Sequence, residues 1–201
     1  DGHTHSHDHS HDHSNEHRHK VLEIEQDILQ NNAVLAARNR GYFEAKNIFA
    51  LNLVSSPGSG KTSILERTLV DLKSEIPFYV IEGDQQTLND ANRIDALDIP
   101  VIQINTGKGC HLESDMVYEA VKKLEMQNDA ILMIENVGNL VCPAGVKIGQ
   151  HMNMVVSSTT EGSDKPKKYP HIFMDSKLVV ISKSDLADAV DFNEKQDTND
   201  I

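Results

Sequence analysis

A glycine-rich segment, Ser55–Thr62, directly follows the apolar run Ile48–Val54, and this order constrains the fold more than any other feature of the sequence. The apolar run predicts a buried strand, and a helical pattern begins at Lys61 and Thr62. A strand, a glycine-rich turn and a helix in this order present backbone N–H groups, a helix dipole and an ammonium group to phosphate. The threonine hydroxyl suits Mg²⁺. The sequence therefore predicts a loop that binds the phosphates of a nucleotide.

The phosphate-binding prediction extends over most of this segment and into the helix. We expect the following residues to contact the phosphates: Gly58, Ser59, Gly60, Lys61, Thr62 and Ser63. Lys61 is also a candidate catalytic residue, because an ammonium group stabilises charge on a phosphoryl group during transfer. Ser55 stands where the full pattern has glycine, so the match is incomplete.

Short apolar or β-branched runs alternate with helical patterns along the chain. The predicted strands are Ile48–Val54, Phe78–Glu82, Pro100–Ile104, Ala130–Ile134, Met154–Ser158 and Leu178–Ile181. The clearest helical patterns cover Thr62–Leu72 and Ser114–Met126. Such alternation predicts an α/β fold with a doubly wound, mostly parallel sheet. In this class ligands bind at the carboxyl ends of the strands, so the residues that follow each run are the candidate site residues.

The first nineteen residues hold eight of the eleven histidines and no apolar residues for a core. This composition predicts a disordered, His-rich tail over residues 1–20. Imidazole groups that alternate with Asp and Ser suit Ni²⁺ and Zn²⁺, and a purification tag is the alternative explanation. The candidate ligands are His3, His5, His7, His9, His11, His13, His17 and His19.

Val21, Ile24, Ile28 and Leu35 then recur near helical spacing as far as Gly41, where we expect the helix to break. The sequence thus predicts an N-terminal helix within residues 21–46 and a nucleotide-binding domain over residues 47–201. The chain starts without Met and stops in a polar run, so we expect this domain to be truncated at its C-terminal end.

Composition excludes several classes of protein. The net charge of −12 argues against nucleic acid as a partner, because that binding depends on clustered Lys and Arg. No apolar segment is long enough to span a membrane. With only Cys110 and Cys142 present, we expect a chain that folds without disulfides in a reducing cytoplasm.

Carboxylates close two of the predicted strands. Glu135 ends an apolar run and precedes Gly138, so it could ligate Mg²⁺ opposite Thr62, while the Gly138 amide could sense a γ-phosphate. Asp84 follows another strand and could join the Mg²⁺ site or orient the attacking water. An ordinary strand end remains the alternative for Glu135, and capping of the following turn remains the alternative for Asp84.

Lys183 and Asp185 follow the last predicted strand, where guanine-specific P-loop proteins carry a Lys-x-Asp element. A carboxylate can accept hydrogen bonds from N1 and N2 of guanine, whereas N1 of adenine is itself an acceptor. Asp185 therefore favours GTP over ATP. Ser182 replaces the asparagine that usually begins the element, and a solvated surface turn is the alternative explanation.

Both cysteines lie in loops that follow predicted strands. Cys110 and His111 follow the third strand, and Cys142 lies four residues after Gly138. Two thiolates and an imidazole suit Zn²⁺ or Ni²⁺ and leave one coordination position open. The alternative is two small buried apolar residues beside an unrelated histidine.

Five segments together make the resemblance to a known family specific. They are Ser55–Thr62, Glu82–Thr87, Asn105–Glu113, Glu135–Pro143 and Thr159–Asp164. In this order they resemble the hydrogenase nickel-incorporation GTPases, the HypB family. The resemblance covers about Val21 to Ala189, and it implies a P-loop NTPase of the class that contains signal-recognition-particle and MinD-like proteins.

The resemblance implies a homodimeric GTPase that hydrolyses GTP to GDP and delivers nickel to the large subunit of [NiFe] hydrogenase. It also implies a small nickel metallochaperone as partner, and a metal site at Cys110, His111 and Cys142. Turnover is expected to be slow, because the sequence offers no evident glutamine or arginine finger. Two other functions stay open: a nickel or zinc storage protein with a degenerate nucleotide site, and a urease accessory GTPase.

Overall fold

The structure, a computed structural model of the chain, describes residues 30–84, 89–190 and 192. The chain divides after Asn31 into two units, and the fold described here is that of the second, residues 32–201. The predicted His-rich tail, Val21, Ile24 and Ile28 lie outside the described residues.

Six strands form one sheet in which every neighbouring pair is parallel, in the order β3-β2-β4-β1-β5-β6. The strands are β1 (Phe49–Ser55), β2 (Phe78–Asp84), β3 (Val101–Asn105), β4 (Ile131–Glu135), β5 (Met152–Ser158) and β6 (Ser176–Ser182). Each of the predicted strands is therefore confirmed, with ends that differ by at most two residues. The doubly wound α/β fold is confirmed as well.

One helix precedes β1, and the others lie between consecutive strands, except that the residues between β4 and β5 contain no helix. The helices are α1 (residues 30–45), α2 (Lys61–Leu72), α3 (Asn89–Asp95), α4 (Ser114–Leu124), α5 (Lys165–Lys168) and α6 (Pro170–Met174). Two 3₁₀ turns, Thr159–Glu161 and Ser184–Ala189, follow β5 and β6. Among the described helices, none has the length and apolar character needed to cross a membrane.

Successive strand residues point to opposite faces of the sheet, and helices cover both faces. In β2, Ile81 packs with the cluster that contains Val117 of α4, while Val80 packs with Leu65 and Leu69 of α2. All five side chains are fully buried. Burial of a leucine or valine side chain contributes about 1.5–3 kcal/mol, so the apolar faces of α2 and α4 fix these helices on opposite faces of the sheet.

The predicted helix break at Gly41 is wrong, because α1 continues through this residue to residue 45. Phe43 lies beyond Gly41 and is completely buried, together with Ala36 and Asn39 on the same face. Gly41 itself is exposed on the opposite face. Packing of Phe43 therefore outweighs the glycine penalty of about 1 kcal/mol in a helix.

Candidate nucleotide and metal site

A cavity of about 440 Å³ opens at the carboxyl edge of the sheet, between the glycine-rich loop and the ends of β2 and β4. The loop leaves β1 at Ser55 and enters α2 at Lys61. Gly58 and Gly60 adopt φ values of +75° and +91°, which few residues with a side chain tolerate. Gly60 is the N-cap of α2, so the first backbone amides of this helix lie at the cavity. Ser59 and Ser63 also line this cavity.

Lys61 and Thr62 converge on the carboxylate of Glu135 at the end of β4. The Lys61 ammonium lies 2.8 Å from Oε1 of Glu135, and the Thr62 hydroxyl donates to the same oxygen at 2.6 Å. Glu135 is 1% exposed, and its Oε2 has no hydrogen-bond partner among the described residues. A buried carboxylate oxygen beside a hydroxyl oxygen fits a small hard cation, so these residues suit Mg²⁺.

Asp84 ends β2 and lines the same cavity, partly buried. Its backbone carbonyl accepts a hydrogen bond from the Thr106 amide at 2.9 Å, which ties the end of β2 to the loop after β3. Glu82 is the register neighbour of Glu135 and is also buried at the cavity wall. Three acidic residues, Glu82, Asp84 and Glu135, therefore line the cavity at the ends of β2 and β4.

Arg93 of α3 also lines the cavity, and the sequence analysis did not identify it. It forms a two-point ion pair with Glu66 of α2, with a distance of 2.8 Å between Nε and Oε1. No sequence pattern signals this contact, because the two residues are far apart along the chain and lie on different helices.

The segment after β6 packs against the glycine-rich loop. The Ser182 hydroxyl donates to the Ser59 carbonyl at 2.5 Å, and the Lys183 ammonium donates to the Gly58 carbonyl at 2.8 Å. Asp185 follows in the 3₁₀ turn and is exposed. Ser182 thus supports the loop with its hydroxyl at the position where asparagine was expected.

Cys110, His111 and Cys142 lie together, as the sequence suggested, with their potential ligand atoms within 4.8 Å of one another. Sγ of Cys110 lies 3.6 Å from Nδ1 of His111, and Nε2 of His111 lies 3.9 Å from a carboxylate oxygen of Glu113. All three candidate ligands are partly exposed. The cluster is therefore accessible from solvent.

The two cysteines form a disulfide with their Cα atoms 6.1 Å apart, so the expectation of a chain without disulfides is wrong for this structure. Local sequence patterns do not signal this pairing, because the cysteines are 32 residues apart. A disulfide sulfur is not a thiolate, and thiolates are what bind Zn²⁺ and Ni²⁺. Metal binding at this cluster therefore requires the reduced cysteine pair.

Local hydrogen bonds shape the two loops that carry the cluster. Asn139 accepts from the backbone amides of Val141 and Cys142 at 2.7 and 3.1 Å. The Thr106 carbonyl accepts a hydrogen bond from the Gly109 amide at 2.8 Å, and the Thr106 hydroxyl donates to the Gly109 carbonyl at 2.9 Å. These turns hold Cys142 and Cys110 in place from their own loops.

Gly138 lies against the glycine-rich loop, between Glu135 and Cys142 in sequence. A methyl group at Gly138 would lie 3.1 Å from Cα of Pro57 and 3.2 Å from its Cγ, which is closer than ordinary contact. The segment that leads to Cys142 therefore touches the phosphate-binding loop directly.

A glycine-rich loop between a strand and a helix, facing a buried carboxylate on the neighbouring parallel strand, defines a P-loop nucleotide-binding protein. Comparison with known proteins agrees with this class. The family described as CobW/HypB/UreG, nucleotide-binding domain, matches residues 49–201. Hydrogenase maturation factor HypB of Escherichia coli K12 is 52% identical over 174 residues, or 87% of this chain and 60% of that protein.

Solved structures give the same result. HypB from Helicobacter pylori, determined in complex with nickel, has a TM-score of 0.80 and 41% identity, covering 85% of this chain and 80% of that chain. HypB from Archaeoglobus fulgidus has a TM-score of 0.80 and 37% identity, covering 86% and 84%. The chain belongs to the HypB family, and the resemblance found in the sequence is confirmed. The chain spans 60% of the length of the E. coli relative.

Proposed function

We propose that this chain hydrolyses GTP and uses the nucleotide state to control the binding of nickel that is delivered during maturation of [NiFe] hydrogenase. Family membership and the names of the relatives support this proposal. The H. pylori relative was determined in complex with nickel, which supports nickel as the cargo. No specific observation favours metal storage alone, since the described P-loop has its expected geometry.

One observation carries the proposal. Glu135, which contacts Lys61 and Thr62 at the cavity, lies seven residues before Cys142, which contacts the other members of the Cys/His cluster. Gly138 lies between them and packs on Pro57 of the P-loop. A single short segment therefore joins the phosphate-binding cavity to the candidate metal ligands.

We assign the phosphate contacts as follows. The backbone amides of the loop and of the first turn of α2 would bind the β- and γ-phosphates. The Lys61 ammonium would leave its ion pair with Glu135 and bind phosphate oxygens instead. The remaining contacts would come from Gly58, Ser59, Gly60, Thr62, Ser63 and the Gly138 amide. Lys183 would brace the loop, and Asp185 would accept hydrogen bonds from guanine.

Thr62 and Glu135 would hold Mg²⁺, with Asp84 nearby. When bound, Mg²⁺ neutralises charge on the phosphate oxygens. Asp84 would orient the attacking water, since its carboxylate is an acceptor on the cavity wall opposite the P-loop. Arg93 lies at this cavity, but its guanidinium is paired with Glu66 and is therefore not placed to stabilise the transition state as an arginine finger. We therefore still expect slow intrinsic turnover.

Cys110, His111 and Cys142, in the reduced state, would bind nickel or zinc as cargo, with one position open to an acceptor. The eight histidines of the tail would add nickel capacity. We also propose a cytoplasmic homodimer that receives help from a small nickel metallochaperone and delivers metal to the hydrogenase large subunit. The proposed organisation remains a tail at residues 1–20, a helix within residues 21–46 and a GTPase domain over residues 47–201.

Turnover of GTP by the reduced protein, with ATP as a control, tests the enzymatic part. Lys61→Ala should lower kcat by at least about 100-fold, because the ammonium group stabilises charge in the transition state. A matched control is Lys73→Ala, since Lys73 follows the other end of α2 and lies outside the lining of the cavity. Equal turnover in Lys61→Ala and the wild type would contradict the proposal.

A further inference from the structure

Asn136 immediately follows Glu135 and is 2% exposed. Its Oδ1 accepts hydrogen bonds from the backbone amides of Leu112 and Val137, both at 3.0 Å. Its Nδ2 donates to Oδ1 of Asn52 at 3.1 Å. These three hydrogen bonds fix the carboxamide in one orientation, because the acceptor and the donor sides are both used.

The contact with Leu112 reaches the other half of the metal cluster, because Leu112 directly follows His111. The Leu112 side chain is fully buried and packs against Gly83 of β2, where a methyl group would lie 2.8 Å from its Cγ. The backbone next to His111 is thus held between the ends of β2 and β4. Both of these strands carry carboxylates at the nucleotide cavity.

A row of hydrogen-bonded, buried side-chain amides extends from Asn136 into the sheet. Asn52 donates to Asn153 at 2.9 Å, and Asn153 also accepts from Gln150 at 3.0 Å. Asn153 in turn donates to Asp175 at 2.8 Å. The row anchors Asn136 to strands β1 and β5, so the orientation of its carboxamide is set by the sheet as well as by the two cysteine loops.

We propose that Asn136 is a positioning residue that transmits the nucleotide state to the metal cluster by holding the His111–Leu112 backbone to the end of β4. A shift of the segment after Glu135 would move Cys142 through the chain and His111 through Asn136. Both halves of the cluster would therefore respond together. This inference rests on the proposed function, because it requires that metal affinity depend on the bound nucleotide.

The test uses the full chain in the reduced state, with Ni²⁺ as the probe. Thiolate-to-nickel charge-transfer absorption reports metal bound by cysteine and not metal bound by the histidine tail. We would measure the ratio of the Ni²⁺ dissociation constants in GDP and in a non-hydrolysable GTP analogue. Asn136→Ala should reduce this ratio at least about fivefold toward one, because the His111 half no longer follows β4.

The control is Asn39→Ala, which removes a carboxamide of similar burial whose hydrogen bonds go to the carbonyls of Ser114 and Ile148, outside the two cysteine loops and outside the row that supports Asn136. It should leave the ratio within about twofold of the wild type even if it lowers stability. If Asn136→Ala fails to fold, Asn136→Ser replaces it, since serine keeps a small polar group but is too short to span the same contacts. A merely structural role predicts that the Asn136 and Asn39 variants change the ratio alike.

The outcomes separate the two proposals. A wild-type ratio of one overturns the proposed coupling of nucleotide and metal, and this inference falls with it. A wild-type ratio well above one that persists in a folded Asn136 variant overturns the inference alone. A ratio that falls toward one in the Asn136 variant but not in Asn39→Ala supports the inference.

Discussion

Glu135 accepts both the Lys61 ammonium and the Thr62 hydroxyl on one carboxylate oxygen. The Lys61 side chain is 11% exposed, so most of its desolvation has already taken place in this arrangement. Phosphate would therefore replace one buried acceptor of Lys61 with another, rather than draw an exposed ammonium out of water. The site is arranged in advance for an anion, which lowers the cost of binding.

The proposed role of Asp185 in selecting guanine is also tested at the residue scale. Asp185→Asn should weaken GTP binding about 10- to 100-fold, because hydrogen bonds to a charged group contribute about 1.5–3 kcal/mol. XTP should bind the variant better than GTP, since xanthine carries an acceptor where guanine carries the 2-amino group. Titration calorimetry with GTP, XTP and ATP measures the three affinities.

The control for this substitution is Asp188→Asn, which removes a carboxylate from the same 3₁₀ turn. It should leave the order of the three affinities unchanged. Unaltered GTP affinity in Asp185→Asn would show that the base is recognised elsewhere.

At the scale of elements, α1 contains Gly41 at a position where the packing leaves room for a side chain. Gly41 is exposed, has helical backbone and has no atom within 4 Å of the position that a methyl group would occupy. Gly41→Ala should therefore raise the free energy of unfolding by about 0.5–1 kcal/mol. Urea unfolding followed by circular dichroism measures the change, and a destabilised variant would contradict the helical geometry at this position.

A matched control is Gly149→Ala, where the added methyl group would lie 2.5 Å from Cβ of Asn39 and φ is +102°. This substitution should destabilise the protein, because the backbone conformation and the contact both exclude a side chain. The pair of variants thus has opposite expected signs.

The strands could be predicted from sequence because each is a short apolar run bounded by polar or glycine residues, and the parallel order followed from alternation with helices. The break at Gly41 was mispredicted, since local propensity does not include the burial of Phe43 beyond it. Arg93 and the Cys110–Cys142 bond were missed because both depend on contacts between distant segments. Proximity of the two cysteine loops was predicted, since strand ends in a parallel sheet share one edge.

At the scale of the whole molecule, His151 lies directly before β5 and contacts β1 at the amino edge of the sheet. Its Nδ1 accepts from the Ala50 amide at 3.0 Å, and its ring stacks on Phe49 at 5.0 Å between centroids. Burial lowers the pKa of His151 below its ordinary value of 6.5, and the nearby Arg40 guanidinium lowers it further, against a smaller opposing effect of Glu44. The folded protein therefore favours the neutral imidazole.

Because the unfolded chain binds a proton at this histidine more readily than the folded chain, stability should rise with pH. The contribution is complete above 6.5 and is lost as pH falls from 6.5 toward the lower folded pKa. His151→Asn keeps an acceptor for Ala50 without a titrating ring, so its urea midpoint should change less between about pH 7.5 and about pH 5.5 than that of the wild type.

His171→Gln, on the exposed surface of α6, should keep the wild-type change in midpoint. An identical pH response in His151→Asn and the wild type would rule out His151 as the titrating group.

The hydrogen bonds from Ser182 and Lys183 to the carbonyls of Ser59 and Gly58 have a practical consequence for anyone who shortens this protein. A truncated version that ends before residue 182 would keep the complete glycine-rich sequence, but its loop would lack the hydrogen bonds from Ser182 and Lys183. Such a fragment should still match the sequence pattern of a nucleotide-binding protein, but it should bind phosphate much more weakly.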